Sequence, residues 1–532
     1  MFLFLVFLAC SGSVLSFEDL DDSYWRQKNV EDLQATLNLK HNFNVAKNVI
    51  LFIGDGMGPY TVTAARIYSE GETGYLSWER FPHIGGIKTY TNDYQVPDSA
   101  ATATAIYTGV KVNQGTLGVD VSVKRLDCNA SLVEKSHLVT LATLAQEAGK
   151  ATGILTTTRV THATPGAMFA HTPERDWECD SVVPAGCRTK DVARQLVEDN
   201  PGKRFNVIMG GGRQVLKANT PNYTYDPILS GGDNCIRTDG RDLINEWAQD
   251  KAAEGARYAV VENAKELSNV DTENTDYLLG IFYNSHFPLD HLRNKTEYGV
   301  PSLEQMVTKA VKVLKKNENG FFLMVEGGLI DKAHHLGKAR AALDEVVELN
   351  KAVNATMNLL ETAGIKDDTL VIVTSDHSHT LTIVGYPSRG SNILGVASKS
   401  RIDNIPFTTL NYVNAKRGNF HYKVVNGQVE REDPSLVDTT SYDYDVPAAI
   451  LDNQNSHGGS DVFVYATGPH SHLFHHIHEQ TYINTAIKYA LRLEEFSHAE
   501  PAQQTQQTSG SLKFLPSVIL LFLVQICFLI WK

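Results

Sequence analysis

From about Lys47 onward the chain alternates short runs of β-branched and other apolar residues with longer, helix-patterned stretches. The runs NVILFI (Asn48–Ile53), ATGILTT (Ala151–Thr157), FNVIMG (Phe205–Gly210), FFLMVE (Phe321–Glu326), LVIVTS (Leu370–Ser375) and DVFVYA (Asp461–Ala466) have the length and composition of strands. That alternation predicts an α/β fold, with a large, mostly parallel central sheet flanked by helices. The longest helical pattern runs from about Lys338 to Ala363 and is closed by Gly364. Residues 385–450 change character: more Asn, Ser, Pro and Tyr, short strand-like pieces such as NFHYKVV, and no long helix. They read as a small inserted subdomain. Ahead of the first strand, Phe17–Leu39 is charged and helix-patterned, as suits an arm that packs on a partner subunit or back on its own.

The two ends add an export route. Residues 1–16 form an apolar run that turns to small residues before the polar FEDLDD, a secretory signal. Phe514–Trp531 is nearly all apolar, only Lys532 follows it, and Ser509, Gly510 and Ser511 precede it. Small residues before a terminal apolar tail read as a GPI-anchor signal, with attachment at Ser509 and residues 512–532 removed. The alternative is a single spanning helix. The expected organisation is a signal over 1–16, one catalytic domain over 17–495 that contains the 385–450 insertion, and a Gln-, Thr- and Ser-rich stalk over 496–511. The expected location is the extracellular face of the cell membrane.

Export changes the reading of the cysteines. Cys10 and Cys527 fall in the removed segments, leaving Cys128, Cys179, Cys187 and Cys235. An even number in an exported chain favours two disulfides, with three connectivities open. Asn129, Asn222, Asn294 and Asn354 begin N-x-S/T glycosylation triplets, the last inside a helical pattern. The formal net charge of −13 argues against a nucleic-acid-binding surface. It would also repel phosphate esters at long range, so a phosphate site must be made locally positive by metals or arginine.

Polar residues stand just past several predicted strands: Asp55 after NVILFI, Glu326 at the end of FFLMVE, and Asp376–His377 after LVIVTS. In open α/β sheets, ligands bind at that edge. One such Asp is commonly a helix cap; three ends carrying Asp, Glu and Asp-His point to a metal-binding edge. Asp331 and His335 are four apart and share a helix face, and His457 in NSHGGSD offers another imidazole. Carboxylates with imidazoles suit zinc; a carboxylate, a hydroxyl and water suit magnesium. In VPDSAATATA, Asp98 and Ser99 start an Ala/Thr-rich helix that ends near Gly109, where free amides favour anions. Ser99 is thus a plain N-cap or a nucleophile, and no G-x-S-x-G elbow surrounds it. GDGMG (Gly54–Gly58) lacks dinucleotide-binding spacing, and GGGR (Gly210–Arg213) reads as a strand-end turn rather than a phosphate nest.

LFIGDGMG, VPDSAATATA, TTTRVTHATPGAMFAHTPERDW, FFLMVEGGLIDKAHH, VTSDHSHT and NSHGGSD occur in the order and approximate spacing of the alkaline phosphatases, from roughly Asp21 to Leu493. With its signal, sequons and tail, the chain resembles the animal, lipid-anchored members of that family, arthropod ones included. The resemblance implies a homodimer with two zinc ions and one magnesium ion per subunit, and a crown-like role for the insertion. Asp331, His335 and His457 match the ligands of the first zinc. Asp55, Asp376 and His377 match those of the second, with Ser99 facing it. Asp55 also matches the magnesium site, with Thr164 and Glu326. Arg175 matches an arginine that clamps two phosphate oxygens, and His162 and Lys332 match positions near magnesium and phosphate. His379 matches a histidine that supports the second zinc; His334 has no matched role.

The implied activity is hydrolysis of small phosphate monoesters, with broad specificity and at alkaline pH, through a phosphoserine at Ser99. The implied disulfides are Cys128–Cys187 and Cys179–Cys235. Two departures stand out. Tyr283 and Val300 occupy positions that are acidic in the calcium site of some vertebrate members, and Lys332 replaces a vertebrate histidine. A sulfatase reading lacks the C/S-x-P-x-R motif, since Ala-Ala-Thr follows Ser99, and a diesterase would lack a counterpart of Arg175. An inactive surface receptor or adhesion glycoprotein would not need the complete ligand set.

Overall fold

In the computed structural model, residues 21–232 and 234–498 are described. The signal, nearly all of the stalk, Ser509 and the apolar tail lie outside them. Strand β1 (Asn48–Gly54) shows why its apolar run is unbroken. Val49, Leu51 and Ile53 pack into one core while Ile50 and Phe52 pack into another, and all five are fully buried. A strand covered on both faces needs an apolar side chain at every position, each worth about 1.5–3 kcal/mol when buried.

The remaining strands of this sheet are β2 (His83–Lys88), β3 (Ala151–Arg159), β4 (Val207–Gly211), β5 (Tyr258–Val261), β6 (Tyr277–Ile281), β7 (Phe321–Gly327), β8 (Thr369–Thr374), β9 (Val462–Thr467) and β10 (Ile477–Glu479). They pair in the order β10-β2-β9-β8-β1-β7-β3-β4-β6-β5. From β8 through β5 every pairing is parallel. Only β9 runs antiparallel to its neighbours, and β10 lies parallel to β2.

Helices cover both faces. On one side lie Ser99–Thr108, Leu141–Glu147, Val192–Glu198 and Tyr482–Leu491, with Ala100, Ala103, Ile106, Leu141, Leu196 and Ile487 in the core. On the other lie Pro59–Glu70, Leu303–Leu314 and Ala339–Thr362. The Leu303–Leu314 helix starts at a reciprocal Ser302–Gln305 capping box, and the long Ala339–Thr362 helix ends just before Gly364, at φ +68. No helix among the described residues is long and apolar enough to cross a membrane.

The segment that changes character in sequence also changes in structure. Leu410–Ala415 pairs with Leu381–Ile383 on one side and Ala448–Leu451 on the other, and two hairpins join Val396–Lys399 to Pro406–Thr408 and Tyr422–Val425 to Gln428–Arg431. Residues 385–450 hold no α-helix. Cys128 is bonded to Cys187 and Cys179 to Cys235, the pairing the resemblance implies. The helix Asp22–Leu37 is capped by Asp21, which accepts from Tyr24 N at 2.9 Å, and buries none of its residues.

Candidate active site

The central neighbours β8, β1, β7 and β3 end side by side. Ile53 is in register with Glu326 and with Thr374, and Thr156 is in register with Glu326. Consequently Asp55, Glu326, Asp376 and His377, read from sequence as strand-end residues, meet at one edge, all fully buried. The turn after β1 needs its glycine: Gly56 has φ +69, and a Cβ there would lie 2.5 Å from Cδ2 of His379. Its N–H and that of His377 donate to Asp376 Oδ1 at 3.0 and 2.8 Å, which fixes that carboxylate.

Ser99 opens the helix Ser99–Thr108, which Asp98 caps through Ala101 N and Gly109 closes at φ +77. Its Oγ lies 3.1 Å from His377 Nε2 and 3.5 Å from Asp55 Oδ1. Asp98 also accepts from Arg175 Nη1 at 3.1 Å, while Arg175 Nη2 lies 3.3 Å from His162 Nε2. The guanidinium is thereby held on the Ser99 side of the site.

Three groups of donor atoms are close enough to share an ion. In the first, Asp331 Oδ1 is 3.3 Å from Nε2 of both His335 and His457, and those two nitrogens are 3.1 Å apart. The far nitrogen of each ring is engaged at 2.7 Å, by Asn455 O for His335 and Pro97 O for His457, so both rings turn Nε2 inward. His379 Nε2 lies 2.6 Å from the same Asp331 oxygen. The second group joins Asp55, Asp331 and His377, and the third Asp55, His162 and Glu326.

Thr164 stands beside Glu326 of that third group. Asp55 Oδ2, Glu326 Oε1 and Thr164 Oγ1 are buried without a hydrogen-bond partner, whereas Glu326 Oε2 accepts from Thr156 and Thr158. Buried oxygens left unpaired while their neighbours are satisfied fit an ion. His334 is different: it bridges Thr61 Oγ1 at 3.1 Å and the Tyr412 hydroxyl at 2.7 Å, a packing role.

Burial, with mutual repulsion among the acids, pushes Asp55 well above the usual carboxylate range. Burial likewise takes Glu326 to about 7 and Asp376 to about 6. Asp331 is the exception; burial raises it, but His335, His379 and His457 outweigh that and hold it low. Burial keeps the His162 and His377 rings neutral, leaving them able to ligate. Lys332, half-buried beside Asp331, is one of the charges that act on Asp55 and His162. GGGR forms a strand-end turn, with Arg213 donating to Asp226, Asn284 and Ile281 O. Tyr283 and Val300 line a separate groove of about 820 Å³ with Phe282, Leu292 and Tyr298.

Several contributing residues went unread in the sequence. Thr156, Thr158 and Asn455 lie inside quoted motifs, but nothing local marks them as partners of Glu326, His379 and His335. The pairing of Asp98 with Arg175, 77 positions away, was equally hidden.

A serine at a helix N-terminus, an arginine fork beside it and clustered buried acids and imidazoles at a sheet edge are the equipment of a metal-dependent hydrolase for anionic esters. Comparison with known proteins narrows this. A family model for alkaline phosphatase matches residues 46–493. The tissue-nonspecific alkaline phosphatase isozyme of Gallus gallus is 43% identical over 97% of this chain and 98% of its own, and the membrane-bound alkaline phosphatase of Bombyx mori is 36% identical over 98% and 94%. The alkaline phosphatase of Thermus thermophilus shares the fold, with a TM-score of 0.59 at 23% identity over 86% of this chain and 94% of that one. The chain belongs to the alkaline phosphatase family and is a phosphomonoester hydrolase.

Proposed function

We propose that the chain hydrolyses a broad range of small phosphate monoesters at alkaline pH through a phosphoserine at Ser99. The observation that carries this reading is the setting of Ser99 Oγ, at a buried helix N-terminus and 3.1 Å from His377 Nε2. On this reading Asp331, His335 and His457 hold one zinc ion; Asp55, Asp376 and His377, with Ser99, hold a second. Asp55, Thr164 and Glu326 hold magnesium. The donor types support the division: imidazole with carboxylate suits zinc, and carboxylate with hydroxyl suits magnesium. Such ions would supply positive charge at the attacking and leaving oxygens and acidify water for the second step.

The chain's own residues do the rest. Ser99 Oγ attacks phosphorus as the ester oxygen departs on the opposite side, so one P–O bond forms while the other breaks and the hydroxyl proton ends on the released alcohol. Arg175 orients two non-reacting oxygens, a bidentate task suited to a planar fork. Lys332 adds a cation beside Asp331, and His162 holds the fork from behind. Water then attacks the phosphoserine, releasing inorganic phosphate and restoring the Ser99 hydroxyl. Nothing in this scheme grips the alcohol, which supports broad specificity.

The wider organisation belongs to the same proposal. The catalytic domain spans 17–495 with a crown-like insertion at 385–450, follows a signal over 1–16, and is tethered through Ser509 after loss of the C-terminal apolar segment. The membrane-bound relative supports the tether. The exposed Asp22–Leu37 helix, which presents Trp25, Val30 and Leu33, supports a homodimer in which this arm lies on the partner. Asn129, Asn222, Asn294 and Asn354 are exposed, as glycan acceptors must be. Acid quenching during turnover of a labelled phosphate ester tests the core of the proposal: the label should map to Ser99. Label on another residue, or none at all, would refute it.

A further inference from the structure

Asn455 is fully buried, yet every polar atom it carries is engaged. Its main chain clasps His335 from both sides: the N–H donates to His335 O at 3.2 Å, and the carbonyl faces His335 Nδ1 at 2.7 Å. Its side chain reaches elsewhere. Nδ2 donates to Asn414 O at 2.7 Å and to the Thr380 hydroxyl, and Oδ1 lies 2.7 Å from His379 Nδ1. A main-chain carbonyl can only accept, so the amide cannot be flipped, and it is the oxygen that meets the His379 ring. The opposite nitrogen of that ring is 2.6 Å from Asp331 Oδ1.

We infer that Asn455 is a positioning residue for the ion site of Asp331, His335 and His457, acting through His379 to fix the Asp331 carboxylate. This rests on the reading that those three residues hold an ion. The amide links the site to Leu410–Ala415, the middle strand of the small three-stranded sheet, because Asn414 lies on that strand. A second link runs from the same strand, through Tyr412 and His334, to the helix Leu329–His335 that carries Asp331 and His335. The inserted segment therefore braces the ligand cluster from behind. Partners that orient ligands in this way typically contribute 10- to 100-fold to metal affinity or activity, roughly.

The test is a double-mutant cycle on the zinc- and magnesium-loaded, full-length enzyme, comparing Asn455→Ala, His379→Ala and the pair. Zinc release to a chelator should be faster by about 10- to 100-fold in Asn455→Ala for one ion per chain. The bands of the cobalt-substituted enzyme should shift with it. Because Asn455 acts through His379, the double variant should release zinc no faster than His379→Ala alone. A parental release rate in Asn455→Ala, or two effects that multiply in the double variant, would overturn the inference. Should Asn455→Ala not fold, Asn455→Ser takes its place in the cycle. Asp331→Asn separates the premises: if it leaves the zinc content unchanged, the ion-site reading itself has failed.

Discussion

Asp98 joins Ser99 to Arg175. One oxygen caps the helix that Ser99 begins, and Oδ2 accepts from Arg175 Nη1 at 3.1 Å. Asp98→Ala should remove a cap worth about 1 kcal/mol and free the arginine to wander. The expected result is a higher KM and a higher inhibition constant for phosphate, read from steady-state kinetics, with a small drop in melting temperature.

Ser99→Ala should abolish phosphoenzyme formation and lower turnover on the order of a thousandfold or more, while the ions stay bound. Metal analysis alongside acid-quench labelling checks both halves. Full turnover in the variant would remove Ser99 from the mechanism.

Replacing Asp331 or His335 should empty one zinc site and leave Ser99 slowly phosphorylatable, because His377 and Asp55, not these two, adjoin its Oγ. Two zincs per chain in either variant would contradict the assignment.

Removing the ions should make stability depend on pH. Glu326 is pushed to about 7 and Asp376 to about 6 in the fold, mainly by burial, and Asp55 is raised as well. Unfolded, such groups titrate near about 4. Between those limits the folded state holds more protons than the unfolded one, so the stability that Glu326 and Asp376 contribute falls as pH rises from about 4 to about 7. On the proposed assignment, bound ions would take the place of those protons. Melting temperatures with and without chelator should therefore diverge across that window, the stripped protein falling more steeply. Glu345, pushed to about 8 by burial away from these ligand groups, adds the same slope to both forms.

Lys332→His exchanges an ammonium group for a ring that is mostly neutral in alkaline solution. Phosphate should be held less tightly, by about 1–2 kcal/mol for one charge-assisted contact. Phosphate inhibition should weaken, and kcat at alkaline pH should rise where product release limits it. Identical phosphate inhibition of variant and parent across the alkaline range would show that Lys332 does not reach the product.

Much of the sheet was legible because its central strands are buried on both faces and so spell continuous apolar runs. The edges were not. β2 reads HIGGIK, and its Gly85 sits where a Cβ would lie 2.8 Å from His476 O, so close backbone approach removed the side chain that would have signalled a strand. β5 is partly exposed, and β10 spans only Ile477–Glu479. The site shows the same division. Asp331 and His335 were visible as a pair through helical spacing alone, and Asp55, Glu326 and Asp376 through strand ends. Which of them meet was written in the strand order β8-β1-β7-β3, which no local pattern encodes.

That strand order also sets a schedule. Only Asp331 and His335 share a turn of helix; Ser99 and His377 come together across 278 positions, and His457 joins His335 across 122. A nascent chain thus offers a passing ion two ligands at most. The full clusters exist only once the sheet has closed around β1, so a complete set of donor atoms is itself the mark of a closed sheet.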